Sequence, residues 1–101
     1  MDVTLLYFED CPHWRTADER VREAVVLSGR RDIVVRRAEV CTPEEADRLG
    51  FRGSPTVLID GRDAFAAADA PVGLACRIYR TAIGPDVAPT VDDLVGVIGS
   101  V

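Results

Sequence analysis

Apolar residues along this chain follow two spacings, and the switches between them lay out the expected elements. Residues 2 to 8, DVTLLYF, are apolar on both alternating faces, with Val3, Leu5 and Tyr7 on one and Leu6 and Phe8 on the other. Such a strand belongs in the middle of a sheet covered on both sides. From Pro12 the period changes: Trp14, Ala17, Val21, Ala24 and Val25 recur at helical spacing until Gly29 supplies a stop. Pro12 suits the first helical position, which makes Cys11 the expected cap. Residues 32 to 40, DIVVRRAEV, are rich in β-branched side chains and read as a second strand. The crossover before it is long enough to make the pairing parallel, and such crossovers are right-handed.

The next stretch, TPEEADRLG, marks a short helix, with Thr42 and Glu45 as a capping box, Pro43 at its first position and Gly50 after its last turn. Residues 55 to 65 predict a hairpin around Asp60-Gly61, a favoured two-residue turn. Residues 66 to 89 show little periodicity and read as loop, with one helical turn near Leu74 to Tyr79. Thr90 and Asp93 form a second capping box, opening a last helix through Leu94, Val95, Val97 and Ile98. The expectation is an α/β domain over residues 1 to 101, ordered β-α-β-α-β-β-α, with a four-stranded mixed sheet covered by helices in two layers.

Composition removes several classes of function. Apolar residues at 48% and charged residues at 29% of the 101 describe a globular chain with one core. The net charge of −5, with all 12 basic residues Arg, gives a field that repels nucleic-acid phosphates and anionic lipid, so neither is an expected partner. No basic-then-apolar leader opens the chain, and no apolar run approaches the roughly 20 residues of a membrane helix, so a cytoplasmic location is expected. Three widely spaced cysteines, Cys11, Cys41 and Cys76, are unlike the dense, even set of a stapled secreted domain. No Gly-rich phosphate loop or Ser-His-Asp pattern stands out, and no cofactor is expected.

The cysteines carry the chemistry. The first two strands, being parallel, end at one edge of the sheet with Cys11 and Cys41. If the third runs antiparallel to the first, it starts there with Ser54-Pro55, and the segment holding Cys76 departs from there too. All three thiols are thus expected in one region. A cysteine at a helix N-terminus meets unpaired N–H groups and partial positive charge, which predicts a thiol pKa below the usual ~8.5. Arg15 adds to that field while Glu9 and Asp10 oppose it. The competing reading of Cys11 is a small buried cap. His13, the only histidine, is placed to stabilise a thiolate or move a proton, or else faces solvent. Trp14 is an aromatic anchor under the first turn or a lid over the thiol. Cys76, after Gly73, is the first candidate for a resolving thiol and Cys41 the second, each against a structural role. A bridge requires Cα atoms within about 7 Å. Cys11, His13, Cys41 and Cys76 also offer four donors to zinc or a thiophilic metal, although the close ligand pairs of ordinary zinc sites are missing and no metal is assigned.

The strand followed by CPHW (11 to 14) at a helix start, the element order, and GSPT (53 to 56) together resemble the thioredoxin superfamily, over most of the chain outside 66 to 89. The CPHW motif and the stretch GLACR (73 to 77) are also similar to those of small actinobacterial thioredoxin-like proteins labelled alkylmercury lyases. The superfamily resemblance implies a nucleophilic thiolate at Cys11 facing a cis Ser54-Pro55 bond, with Pro12, Trp14, Ser54 and Pro55 as the surface that meets a peptide or thiol. CPH further resembles the Cys-Pro-His-Cys motif of periplasmic disulfide oxidases, but Trp14 stands where their second cysteine would. The expected function is therefore a monothiol-type thiol-disulfide exchange on protein or small-molecule thiols and disulfides, with Cys11, His13 and Cys76 as its catalytic residues. The alternatives are a non-catalytic thioredoxin-like module that binds a partner through the Pro55 edge, and thiol-based binding of a soft metal or organomercurial.

Overall fold

The computed structural model describes residues 1–65 and 72–99. Nine elements follow in chain order: β1 (Asp2–Tyr7), α1 (Trp14–Ser28), β2 (Val34–Glu39), α2 (Pro43–Leu49), β3 (Thr56–Ile59), β4 (Arg62–Asp63), β5 (Tyr79–Thr81), β6 (Gly84–Asp86) and α3 (Val91–Gly99). The first four strands form a mixed sheet in the order β2-β1-β3-β4. β1 pairs parallel with β2, Leu5 opposite Arg37, and antiparallel with β3, Leu5 opposite Val57. The expected mixed sheet is present, with the doubly apolar strand inside it.

The alternation of β1 makes the arrangement three-layered rather than two-layered. Val3 and Leu5 point into a core with Ala17, Val21 and Ala24 of α1, Val57 and Ile59 of β3, and Leu94 and Ile98 of α3. Leu6, one residue out of phase, packs on the other face with Val40, Phe51 and Ala46 of α2. A strand has two faces because its side chains alternate, and here both are covered by helices.

Local signals account for most boundaries. Gly29 and Gly50 end α1 and α2 in left-handed conformation. In the first capping box the Glu45 N–H donates to Thr42 Oγ1 (3.1 Å), and in the second the Asp93 N–H donates to Thr90 Oγ1 while the Thr90 N–H donates back to Asp93. Asp60 and Gly61 turn β3 into β4 with φ of 50° and 83°, the two left-handed positions a tight hairpin needs. No helix among the described residues is long and apolar enough to cross a membrane.

Two further expectations need correction. Helix α1 begins at Trp14 with His13 as its N-cap, and Cys11 caps nothing. The Cys11 N–H donates instead to Phe8 O (2.9 Å), and the Arg15 N–H to Pro12 O (3.3 Å), so tight turns precede the helix. The helical turn expected at Leu74 to Tyr79 is absent; residues 66–71 of the same expected loop lie outside the described residues. In place of that turn, Cys76 forms a bridge to Ser54, and β5 and β6 make a separate two-stranded sheet. Exposed Ile78 and Arg80 flank buried Tyr79, so the true period there is two.

Candidate functional site

The site assembles where β1, β3 and the 72–77 segment meet. Leaving β1, the chain folds back at Phe8 to Cys11, and the Phe8 N–H donates to Ser54 Oγ (3.0 Å). The Ser54-Pro55 bond is cis. Ser54 is fully buried, and both its backbone groups are taken: its N–H donates to Ala75 O (2.7 Å) and its C=O accepts from Arg77 N–H (2.9 Å). The segment carrying Cys76 is thereby laid against Ser54 as a parallel bridge.

That close approach depends on Gly53. Its φ is +110°, and a Cβ there would lie 2.9 Å from Arg77 Cβ and 3.2 Å from Ala75 O. A side chain at 53 would push the two backbones apart.

Cys11 and Cys76 form a disulfide, with Cα atoms 5.7 Å apart across 65 residues of sequence. The two sulfurs differ in environment. Cys11 is 1% exposed and its Sγ lies 3.7 Å from Ser54 O, whereas Cys76 is exposed beside a groove of about 460 Å³ lined by Arg52, Gly53, Leu74, Arg77 and Ile78. His13, half-buried, brings Nδ1 to 3.8 Å from Cys11 Sγ. The donor atoms of Cys11, His13 and Cys76 all lie within 4.8 Å of one another. Of the residues singled out from sequence, these three come together.

The others serve as walls or supports. Trp14 is an anchor: it is 9% exposed, stacks on Tyr7 at 4.5 Å, and carries the Arg15 and Arg37 guanidinium groups 5.1 and 5.6 Å from its ring centroid. Pro12 is exposed at the turn. Pro55 is buried, and its carbonyl accepts from the Tyr79 hydroxyl, whose ionisation burial pushes well above the ordinary phenol range.

Cys41 does not join the cluster, contrary to the expected gathering of three thiols. It is a free, exposed thiol whose S–H donates to Glu39 Oε2 (3.3 Å), while its N–H donates to Glu45 Oε1 (2.8 Å). The strand end places it near the same edge, but its side chain turns to these two carboxylates. The hydrogen bond to Glu39, then desolvation and the charges of Glu39 and Glu45, raise its pKa above the ordinary thiol value. Little thiolate is present at neutral pH, so Cys41 should alkylate slowly with iodoacetamide. Glu39→Gln removes the charge that holds the proton, so labelling at pH 7.5 should accelerate severalfold; an unchanged rate would mean the contact does not govern the thiol.

Three supporting residues were missed from sequence: Asp63, Arg77 and Tyr79. Arg77 is buried at 8% exposure, donates to Asp63 (2.7 Å) and Phe65 O (2.7 Å), and stands 4.4 Å over the Tyr79 ring. A lone Arg beside a cysteine gives no periodic signal, so only the partner 14 residues away reveals its role. No family model, no curated protein and no solved structure matches the chain.

Proposed function

We propose that the chain is a thioredoxin-like thiol-disulfide exchange protein whose working couple is Cys11 and Cys76. The observation that carries this reading is the pairing of one buried and one exposed sulfur beside the only histidine. Exchange starts at the sulfur that solvent reaches. An incoming thiolate bonds to Cys76 Sγ, the Cys11–Cys76 bond breaks, and its electron pair leaves on Cys11 Sγ. His13 Nδ1, at 3.8 Å, is placed to donate a proton or hydrogen bond to that leaving sulfur. A second thiolate then attacks the substrate sulfur, producing a substrate disulfide and a reduced chain, which a small disulfide such as glutathione disulfide reoxidises. In that reoxidation Cys76 Sγ attacks the small disulfide and carries the mixed disulfide as one thiolate leaves, and Cys11 Sγ then attacks Cys76 Sγ, closing the bond and releasing the second thiolate, which exchanges the roles suggested by the motif.

The binding-module alternative is less well supported, because an added peptide strand at the Pro55 edge needs the Ser54 N–H and C=O that Ala75 and Arg77 already use. The test is a trapping experiment with glutathione disulfide. Cys11→Ser should accumulate a stable glutathione adduct on Cys76 by mass spectrometry, and Cys76→Ser should lose catalysed exchange down to the level of Cys41 alone. Exchange that survives both substitutions would defeat the reading.

A further inference from the structure

We propose that the reduced chain holds a soft or borderline cation of the Zn²⁺ and Cu⁺ class between Cys11 Sγ, Cys76 Sγ and His13 Nδ1, with the disulfide as the switch that closes the site. A tetrahedral ion with metal–sulfur bonds of about 2.3 Å and metal–nitrogen bonds of about 2.0 Å sets its S···N edge at about 3.5 Å and its S···S edge at about 3.8 Å. Cys11 Sγ already stands 3.8 Å from His13 Nδ1, and the three donors lie within 4.8 Å of one another. Two adjustments remain: the sulfurs must separate, and Cys76 Sγ and the His13 nitrogen, the pair that spans the 4.8 Å, must draw together by about 1 Å, and breaking the sulfur bond frees both thiol side chains to rotate that far.

The backbone around them is held by other means. Cys76 is fixed by the Ser54 pairing to Ala75 and Arg77, and Arg77 is tied in turn to Asp63 and Phe65 O. Cys11 is fixed by its N–H bond to Phe8 O. Reduction therefore leaves two thiols and an imidazole in place, the preorganised donor set a thiophilic ion needs.

The chemistry balances. A dithiol or phosphine reductant supplies two electrons, and with two protons the disulfide becomes two thiols. A divalent ion then displaces both thiol protons and takes the neutral His13 nitrogen, leaving a fourth position open to water or a small ligand. A small disulfide such as glutathione disulfide takes the electron pair and leaves as two thiolates, which re-forms the Cys11–Cys76 bond and releases the ion. Cys41, paired with Glu39 and outside the cluster, takes no part.

The whole chain, reduced with a phosphine or fully oxidised, is titrated with Zn²⁺ against a chromophoric chelator, and Co²⁺ is used to read thiolate-to-metal absorption. Expected are one Zn²⁺ per reduced chain, none retained by the oxidised chain, affinity weakened about tenfold or more in His13→Ala, loss in Cys76→Ser, and no change in Cys41→Ser. Equal binding by oxidised protein, unchanged binding in Cys76→Ser, loss in Cys41→Ser, no binding by a reduced chain with a native circular dichroism spectrum, or unfolding on reduction overturns the proposal. It uses the sulfurs of the exchange reading but not their exchange. Glutathione trapping without zinc uptake defeats this proposal alone, and zinc uptake without trapping defeats the exchange reading alone.

Discussion

Asp63→Ala should lower the unfolding free energy by about 3–5 kcal/mol, the usual cost of leaving one buried charge without its partner. Arg77 and Asp63 are 8% and 11% exposed, and the guanidinium makes paired contacts of 2.7 and 3.4 Å to the two carboxylate oxygens. Removing the carboxylate leaves a cation facing Phe65 O, Thr56 Oγ1 and the Tyr79 ring, none of which carries a compensating charge. Asp63→Leu combined with Arg77→Met should recover much of the loss, since apolar replacement of both partners removes the desolvation penalty along with the attraction. Urea titrations followed by Trp14 emission give both numbers, and a double-mutant coupling of about 2 kcal/mol is expected. Coupling near zero would mean that the pair does not anchor the segment. Because the Arg77 N–H also holds Ser54 O, Asp63→Ala should in addition make the Cys11–Cys76 bond easier to reduce.

The parts of this fold that can be read from sequence are those decided within a few residues. Val3, Leu5 and Leu6 announce a strand covered on both faces, Thr42 with Glu45 and Thr90 with Asp93 announce helix starts, and Asp60-Gly61 announces a hairpin. Each is a local preference that the surrounding structure happens to agree with. The β5–β6 hairpin is hidden for the opposite reason: its strands are three residues long, and its turn at Ala82 and Ile83 has none of the Asn-Gly chemistry that marks such turns. The loop is secured instead by Thr81, whose hydroxyl donates to Gly84 O (2.6 Å) and accepts from the Ile83 N–H.

The same division runs through the site. Cys11, His13 and Trp14 are legible because they sit together at a strand-to-helix junction. The sequence ranks Cys76 ahead of Cys41 as the partner of Cys11, and the disulfide agrees, but it does not carry the reason, since both follow from topology to the same edge. The choice is made by Gly53, which lets Ala75 and Arg77 pair with Ser54, and by Glu39, which engages the Cys41 thiol. Neither contact has a sequence-local signature.

Loss of the Cys11–Cys76 bond should have the second large effect. The bond closes a loop of 65 residues, and restricting so long a loop in the unfolded chain corresponds to about 4 kcal/mol in the chain-entropy account. Cys76→Ser, at an exposed position, should show that loss alone, a fall in melting temperature on the order of 15 °C. Cys11→Ser should cost about 1 kcal/mol more, because it places a hydroxyl in a site 1% exposed where Ser54 O is the acceptor in reach. The double substitution should match Cys11→Ser rather than the sum, since one covalent bond can be removed only once. Additive losses, or a Cys76→Ser chain as stable as the oxidised protein, would show that the cross-link is not what restricts the unfolded state. All three variants should still fold, because Phe8 O, Ser54 and Asp63 hold both segments without the sulfur bridge. A couple that can open without dissolving its own site is what both exchange and metal uptake require.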